Sequence, residues 1–192
     1  MSRVGIFGGT FDPVHFGHLI TAQSVKELRN LDKIIFIPNH ISPLKEFLPF
    51  TTPGNRIKML KLAIEDVPYF DLSDSEIKKE GVSYTIDTLR EMKKYYNDIE
   101  LIIGEDNYLK FHLWKSYEEI PKLATLLVLR RSVKDYKKTV NASIKNAVFL
   151  ETPEIDISST LIRERIKKGL PINFLVPQEV LKYIYKLNLY KE

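Results

Sequence analysis

Apolar positions fall along this chain in two alternating patterns. Short unbroken runs of β-branched, aliphatic and aromatic residues occur at 4–7, 34–37, 69–72, 101–103, 126–129 and 148–150, and they predict six strands. Continuity without polar alternation implies strands covered on both faces, the character of a parallel sheet between helical layers. Between the runs, apolar residues recur at helical spacing: Leu19, Ala22, Val25 and Leu28; Ile57, Leu60, Ala63 and Ile64; Ile86, Leu89 and Met92. Each set predicts a helix with one buried stripe. Residues 156–168 and 177–190 predict two further helices, separated by the stop signal Gly169-Leu170-Pro171. The order of elements is that of an α/β chain: a single Rossmann-like doubly wound domain over residues 1–192, with a mostly parallel sheet and C-terminal helices. The proline-punctuated segment 39–55 reads as a long loop near the first crevice.

Composition narrows the picture modestly. With 192 residues, 44% hydrophobic and 28% charged, the chain has material for one sizeable core. No apolar run is long enough to span a bilayer, and the first strand follows Met1-Ser2-Arg3 directly, so a cytoplasmic protein without a membrane partner is expected. The absence of cysteine removes thiol chemistry and leaves metal binding to His, Asp and Glu. The formal charge of +4 suits a protein that handles phosphorylated molecules. Its lysine pairs, such as Lys78 and Lys79 or Lys93 and Lys94, are broken up by acids and read as solvated helix faces, and no nucleic-acid motif accompanies them.

The candidate chemistry begins where the first strand ends. The stretch from Gly8 through Gly9, Thr10, Phe11, Asp12, Pro13, Val14, His15, Phe16 and Gly17 to His18 hands a buried strand over to a helix. At such a junction, unpaired helix N–H groups and the positive end of the dipole suit phosphate. Gly8 and Gly9 are expected to supply a sharp turn and close backbone approach, with His15 and His18 one helical turn apart facing a common anion. Neither the G-x-G-x-x-G fingerprint nor the P-loop pattern is present. A second helix start, from Asp156 through Ser158, Ser159 and Thr160 to Arg163 and Arg165, reads on its own as a hydroxyl N-cap. A third, Gly81 to Leu89, offers Ser83 or Thr85 as a cap. Gly104 and the acids Glu105 and Asp106 follow the fourth strand, and Trp114 is the only tryptophan, by default a core anchor.

The first segment resembles the GGTFDPxHxGH signature of the pyridine-nucleotide adenylyltransferases within the HxGH nucleotidyltransferase superfamily. Residues 156–166 are similar to the same family's ISSTxIRxRI element, 81–89 to GxSYTxDTL, and 176–184 to its C-terminal VPxxVxxYI, so the resemblance covers almost the whole chain. It points to the nicotinate-nucleotide adenylyltransferases, which join ATP and nicotinate mononucleotide to give deamido-NAD and pyrophosphate in NAD biosynthesis. By that resemblance His15 and His18 are catalytic. Gly8, Gly9, Thr10, Phe11, His15, His18, Gly104, Asp106, Ser158, Thr160 and Arg163 bind ATP. Lys45, Thr85, Trp114 and Lys115 bind the mononucleotide, Trp114 by stacking on the pyridine ring.

The family loop after the second strand usually reads NPPHK, whereas here Leu44 stands in the place of its histidine and Lys45 remains. His40 is a weak substitute, and both His40 and His112 read as surface or structural histidines. Magnesium is expected to arrive with ATP, with no dedicated protein metal site. Nicotinamide-mononucleotide and phosphopantetheine adenylyltransferases share the HxGH chemistry, and a non-catalytic nucleotide-binding regulator is the alternative from another class. The sequence leaves the oligomeric state open.

Overall fold

Each predicted apolar run folds as a strand. The computed structural model describes residues 2–44, 48–130 and 147–191. Its strands are β1 (Arg3–Gly9), β2 (Lys33–Pro38), β3 (Phe70–Leu72), β4 (Asp98–Gly104), β5 (Thr125–Arg130) and β6 (Ala147–Glu151). They form one sheet in the order β3-β2-β1-β4-β5-β6. Every neighbouring pair is parallel, so the mostly parallel sheet that was expected is parallel throughout the described residues. The chain starts in the middle, winds outward through β2 and β3, crosses back, and winds the other way through β4, β5 and β6. This reversal opens a crevice beyond the carboxyl ends of β1 and β4.

The helices are α1 (Phe16–Arg29), α2 (Pro53–Ile64), α3 (Ser75–Lys79), α4 (Thr85–Met92), α5 (Glu105–Leu109), α6 (Ile120–Leu123), α7 (Ser159–Lys167) and α8 (Gln178–Lys186), with a 3-10 turn at Phe111–Leu113. Alternation along the strands divides the core in two. Ile34 and Phe36 enter a cluster with Ala22 and Val25 of α1, Met59 and Leu60 of α2, Ile162 of α7 and Ile184 of α8. Ile35 and Ile37 enter the opposite cluster with Ile86, Leu89 and Met92 of α4, Tyr108 of α5 and Ile120 of α6.

Several boundaries and one stripe position differ from the sequence expectation. Leu28 is 57% exposed, because three residues beyond Val25 the helix has rotated about 60° away from the sheet-facing line. Leu31, 2% exposed, takes its place in the core after Asn30 ends α1 in the left-handed region at φ 52°. The helix expected from 156 begins at Ser159, because Ser158 caps it by accepting the Leu161 N–H at 3.1 Å. The stop at Gly169 holds: its φ is 64°, and Gly169 N and Leu170 N donate to Ile166 O and Arg165 O at 2.9 and 2.8 Å. The helix expected to reach 190 stops at Lys186, and Asn188 and Tyr190 turn the chain with φ of 51° and 65°.

At the amino end of the sheet, away from the crevice, the Glu100 carboxylate is fully buried. It accepts from Arg29 Nε and Nη2 at 2.9 and 2.8 Å and also from Arg3. Both arginines remain partly solvated, with side chains 24% and 35% exposed. Loss of the carboxylate therefore leaves charges that water can reach. Glu100→Ala is expected to cost about 1–3 kcal/mol, seen as a lower denaturant midpoint at unchanged m-value. An unshifted midpoint would show that the cluster contributes nothing to stability.

Candidate active site

The two glycines at the end of β1 do not make the turn expected of them. Both stay in the strand, and the chain reverses at Phe11, whose φ is 52°, followed by the cis peptide Asp12-Pro13. Gly8 faces open space, so backbone there can approach a ligand. Gly9 has another role: a Cβ there would lie 2.9 Å from the Phe11 ring, so its missing side chain makes room for that ring. Phe11 is 1% exposed and packs edge-on against Phe7, Phe36 and His18 with ring centroids 5.9, 5.7 and 5.0 Å away.

His15 is the N-cap residue of α1 and His18 lies in its first turn. The sequence spacing brings the rings together as expected, stacked at 3.7 Å with 31° between planes. They are not equivalent. His18 lines a cavity, whereas His15 is 5% exposed and lies outside the lining. The His15 N–H donates to His18 Nδ1 at 3.3 Å, so a neutral His18 ring carries its proton on Nε2. Burial lowers the His15 pKa from 6.5 to about 4. At neutral pH His15 is an uncharged ring behind His18.

Two cavities open beyond the strand ends. The first, about 250 Å³, includes Gly8, Gly9, Gly104, Thr85, Trp114 and Lys115 in its lining. The second, about 520 Å³, includes Thr10, Phe11, His18, Lys110, Thr160 and Arg163. Thr10, Asn39, Ser42 and Leu44 line both, so the cavities adjoin across the loop that follows β2. Gly8, Gly9 and Gly104 thus share a cavity with Thr85, Trp114 and Lys115, apart from His18 and Arg163. Asp106 stands in the first turn of α5 and Ser158 at the cap of α7, and neither is in the lining of either cavity. Lys45 lies outside the described residues.

Local contacts explain how each wall is set. Trp114 is half-buried beside Phe111 at 5.3 Å, and its Nε1 is buried without a hydrogen-bond partner, so it is both a core anchor and a cavity wall. Lys115 Nζ pairs with Asp87 at 3.2 Å and lies 4.4 Å from the Tyr84 ring centre. Ser83 is not a helix cap. Its hydroxyl accepts the His40 N–H at 2.9 Å, while His40 Nδ1 lies 3.1 Å from Gly81 O. His40 therefore ties two loops together and, like His112, is absent from both linings. Leu44 does line both cavities, where the family pattern has a histidine.

In the second cavity, Ser159 Oγ donates to Pro13 O at 2.8 Å, and Arg163 donates to Asp12 O at 2.8 Å and Thr160 Oγ1 at 3.2 Å. Ser159 and Arg163 thus bind α7 to the loop after β1, and Thr160 holds the Arg163 side chain within the helix. No group of three His, Cys, Asp or Glu that could hold a metal occurs among the described residues, and no described helix is long and apolar enough to cross a membrane.

Sequence reasoning missed several supporting residues. Arg56 is fully buried, and one amino group donates to Thr10 O at 3.0 Å and Asn39 O at 2.6 Å. Its signal was an arginine one turn before Met59 and Leu60 on the apolar face of α2. Glu76 lines the first cavity and accepts from Thr88 Oγ1 at 2.5 Å. Burial pushes its carboxyl up, against the hydrogen bonds of Thr88 and Ser83. Asn39 Oδ1, at the junction of the cavities, is a buried acceptor without a partner. Nothing in the local sequence marks either Glu76 or Asn39.

The cytidylyltransferase-like family matches residues 6–165. A probable nicotinate-nucleotide adenylyltransferase of Hydrogenobaculum sp. is 44% identical over 188 residues, spanning 97% of both chains. Another, from Clostridium tetani, is 40% identical over 200 residues and all of both chains. Among solved structures, the Plasmodium falciparum nicotinic acid mononucleotide adenylyltransferase complexed with NaAD superposes with a TM-score of 0.82 at 20% identity, covering 99% of this chain and 98% of that one. A putative nicotinate-nucleotide adenylyltransferase from Vibrio parahaemolyticus gives 0.71 at 23% identity, covering 100% and 97%. These two likenesses establish the shared fold.

The lowered pKa of His15 carries a sign. Between about pH 6.5 and 4 the unfolded chain binds a proton at this position that the folded chain refuses. The contribution is complete above about 6.5 and is lost as pH falls toward 4, on the order of 3 kcal/mol in total. His15→Asn should flatten this part of the curve of unfolding free energy against pH. Parallel curves for the two proteins would contradict a buried neutral His15.

Proposed function

Because the chain belongs to the cytidylyltransferase-like family and, within it, to the nicotinate-nucleotide adenylyltransferases, we propose that it transfers the adenylyl group of ATP to nicotinate mononucleotide. The products are deamido-NAD and pyrophosphate, and the reaction belongs to NAD biosynthesis in the cytoplasm. The observation that carries this reading is the pair of adjoining cavities that share Thr10 and Asn39, with His18 in the wall of the second. Such a site has room for two nucleotides whose phosphates meet between the cavities.

The mononucleotide phosphate attacks the α-phosphorus of ATP in line. One phosphorus–oxygen bond forms, the bond to the bridging oxygen breaks, and pyrophosphate leaves with that oxygen's electrons. Such a reaction needs positioning and charge stabilisation, with no covalent enzyme intermediate. His18 Nε2–H is the donor to oxygens on which charge develops, and His15 supports its ring from behind. Thr10, Thr160 and Arg163 hold the polyphosphate, with Ser158 at the helix cap. The exposed backbone at Gly8, Gly9 and Gly104 lets the sugar and phosphates approach, and Asp106 accepts from a ribose hydroxyl.

A magnesium ion carried by the nucleotide fits this donor set. Among the described residues Asp12 is the only acid lining the second cavity, and its oxygens already accept protein N–H and O–H groups. When bound, the ion supplies charge neutralisation to the polyphosphate.

The first cavity accommodates the pyridine ring beside Trp114, with the amides at the start of α4, near Thr85, and at Lys115 directed to its carboxylate. Lys45 is a phosphate contact in this reading. Leu44 puts an apolar group where the family pattern has an imidazole, so among the described residues His18 is the one imidazole in the linings. The donors also select the substrate. A carboxylate can accept from each, whereas a carboxamide must turn its NH₂ toward at least one, leaving a pair unmade at about 1–3 kcal/mol.

Purified protein with ATP and Mg²⁺ is expected to favour nicotinate over nicotinamide mononucleotide by roughly 10² or more in kcat/KM, followed by pyrophosphate release. Equal use of the two would defeat the substrate assignment while sparing the chemistry. His18→Ala should lower kcat by about 10² while the protein remains folded by circular dichroism. An undiminished kcat would remove His18 from the mechanism.

A further inference from the structure

Among the described residues the most buried polar side chain in the lining of the second cavity is Asp12, and one of the groups that hold its carboxylate comes from the far end of the chain. Asp12 is 2% exposed. Its Oδ2 accepts the N–H groups of Phe50 and Thr51 at 2.6 and 3.2 Å. Its Oδ1 accepts the Thr51 hydroxyl at 2.7 Å and the Tyr190 hydroxyl at 2.6 Å. We propose that Tyr190 is a positioning residue for the polyphosphate end of the site, acting through Asp12. The inference rests on the adenylyl-transfer reading and adds to it a residue that does not line either cavity.

The route from Tyr190 to the ligand is short. Fixing Asp12 fixes the main chain at Phe50 and Thr51. The Phe50 ring forms part of the second cavity wall and lies 4.1 Å from the Arg163 guanidinium, within cation–π range. Arg163 is in turn held by the main-chain oxygen of Asp12 itself, at 2.8 Å. One carboxylate therefore sets the phosphate-facing arginine from two directions: through its own backbone, and through the aromatic ring that its side chain anchors. Charge-assisted hydrogen bonds are strong enough to hold such a geometry.

The Tyr190 hydroxyl suits this work. The residue is 8% exposed, and burial together with the Asp12 charge raises its pKa, so the phenol stays protonated and donates. Its backbone sits at φ 65°, a conformation that bulky L residues adopt only where their surroundings hold them. The residue belongs to the first core cluster, with Met59 Sδ of α2 3.9 Å from the hydroxyl. Tyr190→Phe therefore separates the two roles, keeping the ring and deleting the donor. Thr51→Val removes the other hydroxyl on the same carboxylate oxygen without touching the C-terminal segment.

The test compares wild type, Tyr190→Phe, Thr51→Val and the double variant in steady-state assays with both substrates, together with calorimetric titration by Mg–ATP without mononucleotide. Each single variant is expected to raise KM and Kd for ATP about 5–10-fold while KM for nicotinate mononucleotide stays within about twofold. The double variant should show less than the product of the single effects, because both hydroxyls act on one oxygen. A lower melting temperature with unchanged ATP constants, or equal rises in both KM values, would reduce Tyr190 to a structural residue and overturn the proposal. If the wild type binds ATP but does not use the mononucleotide, the functional reading falls while the ATP titrations still judge Tyr190. A wild type that does not bind ATP overturns both.

Discussion

A single buried guanidinium joins the two loops on which the site is built. Arg56 reaches from the first turn of α2 to the main-chain oxygens of Thr10, beyond β1, and Asn39, beyond β2. Those are the residues through which the two cavities adjoin. Burying a cation is costly, and here one amino group of Arg56 offsets part of that cost by satisfying two main-chain carbonyls beyond the strand ends, while its Nε is buried without a partner. Burial lowers the Arg56 pKa while the Asp12 charge opposes that effect, so the electrostatic support for this cation comes from the same loop that it fixes. The floor of the site is thus positioned by a helix whose own apolar residues are committed to the core.

Around that floor, the loop after β1 is held almost wholly by elements distant in sequence. Pro13 O accepts from Ser159, Asp12 O from Arg163, and Leu175 O accepts the N–H of Phe16 at 3.0 Å. The C-terminal third of the chain therefore serves as a brace for its first twenty residues. Two of the segments that resemble a single family, at the start of α1 and the start of α7, are thus in direct contact although they lie near opposite ends of the sequence. Stabilising a loop from several sides also reduces the reorganisation needed when charge develops on a substrate.

The adjoining cavities make different demands on their walls. The first has a partly apolar wall, with Trp114 and the start of α4 placed by packing against the second core cluster. In the second, hydroxyls, an imidazole and a guanidinium converge on a space suited to anions. Leu44 at their junction is a departure from the family pattern that places an apolar group where charge might be expected. The neutral state of His15 fits the same economy, since a buried second cation behind His18 would repel the arginine's side of the site without touching the ligand.

The six strands, their parallel character and the helices α1, α2, α4, α7 and α8, though not their exact ends, were legible in the sequence, because hydrophobic periodicity is a local signal. So were His18, Thr10, Thr85, Trp114, Lys115, Thr160 and Arg163 as cavity-lining residues, because they belong to motifs of fixed spacing. Tertiary structure alone decided which members of a motif face the ligand space. It placed His15 behind His18 and left Asp106 and Ser158 outside the linings, while Phe11 is both a core residue and part of the second cavity wall. It also assigned Gly9 to ring packing and moved the turn to Phe11. Arg56, Glu76 and Tyr190 acquire their roles only from partners that approach through the fold, such as the 178-residue separation between Tyr190 and Asp12. Spacing along a helix or strand is fixed by backbone geometry, whereas desolvation and long-range hydrogen bonds arise only when the layers close on one another.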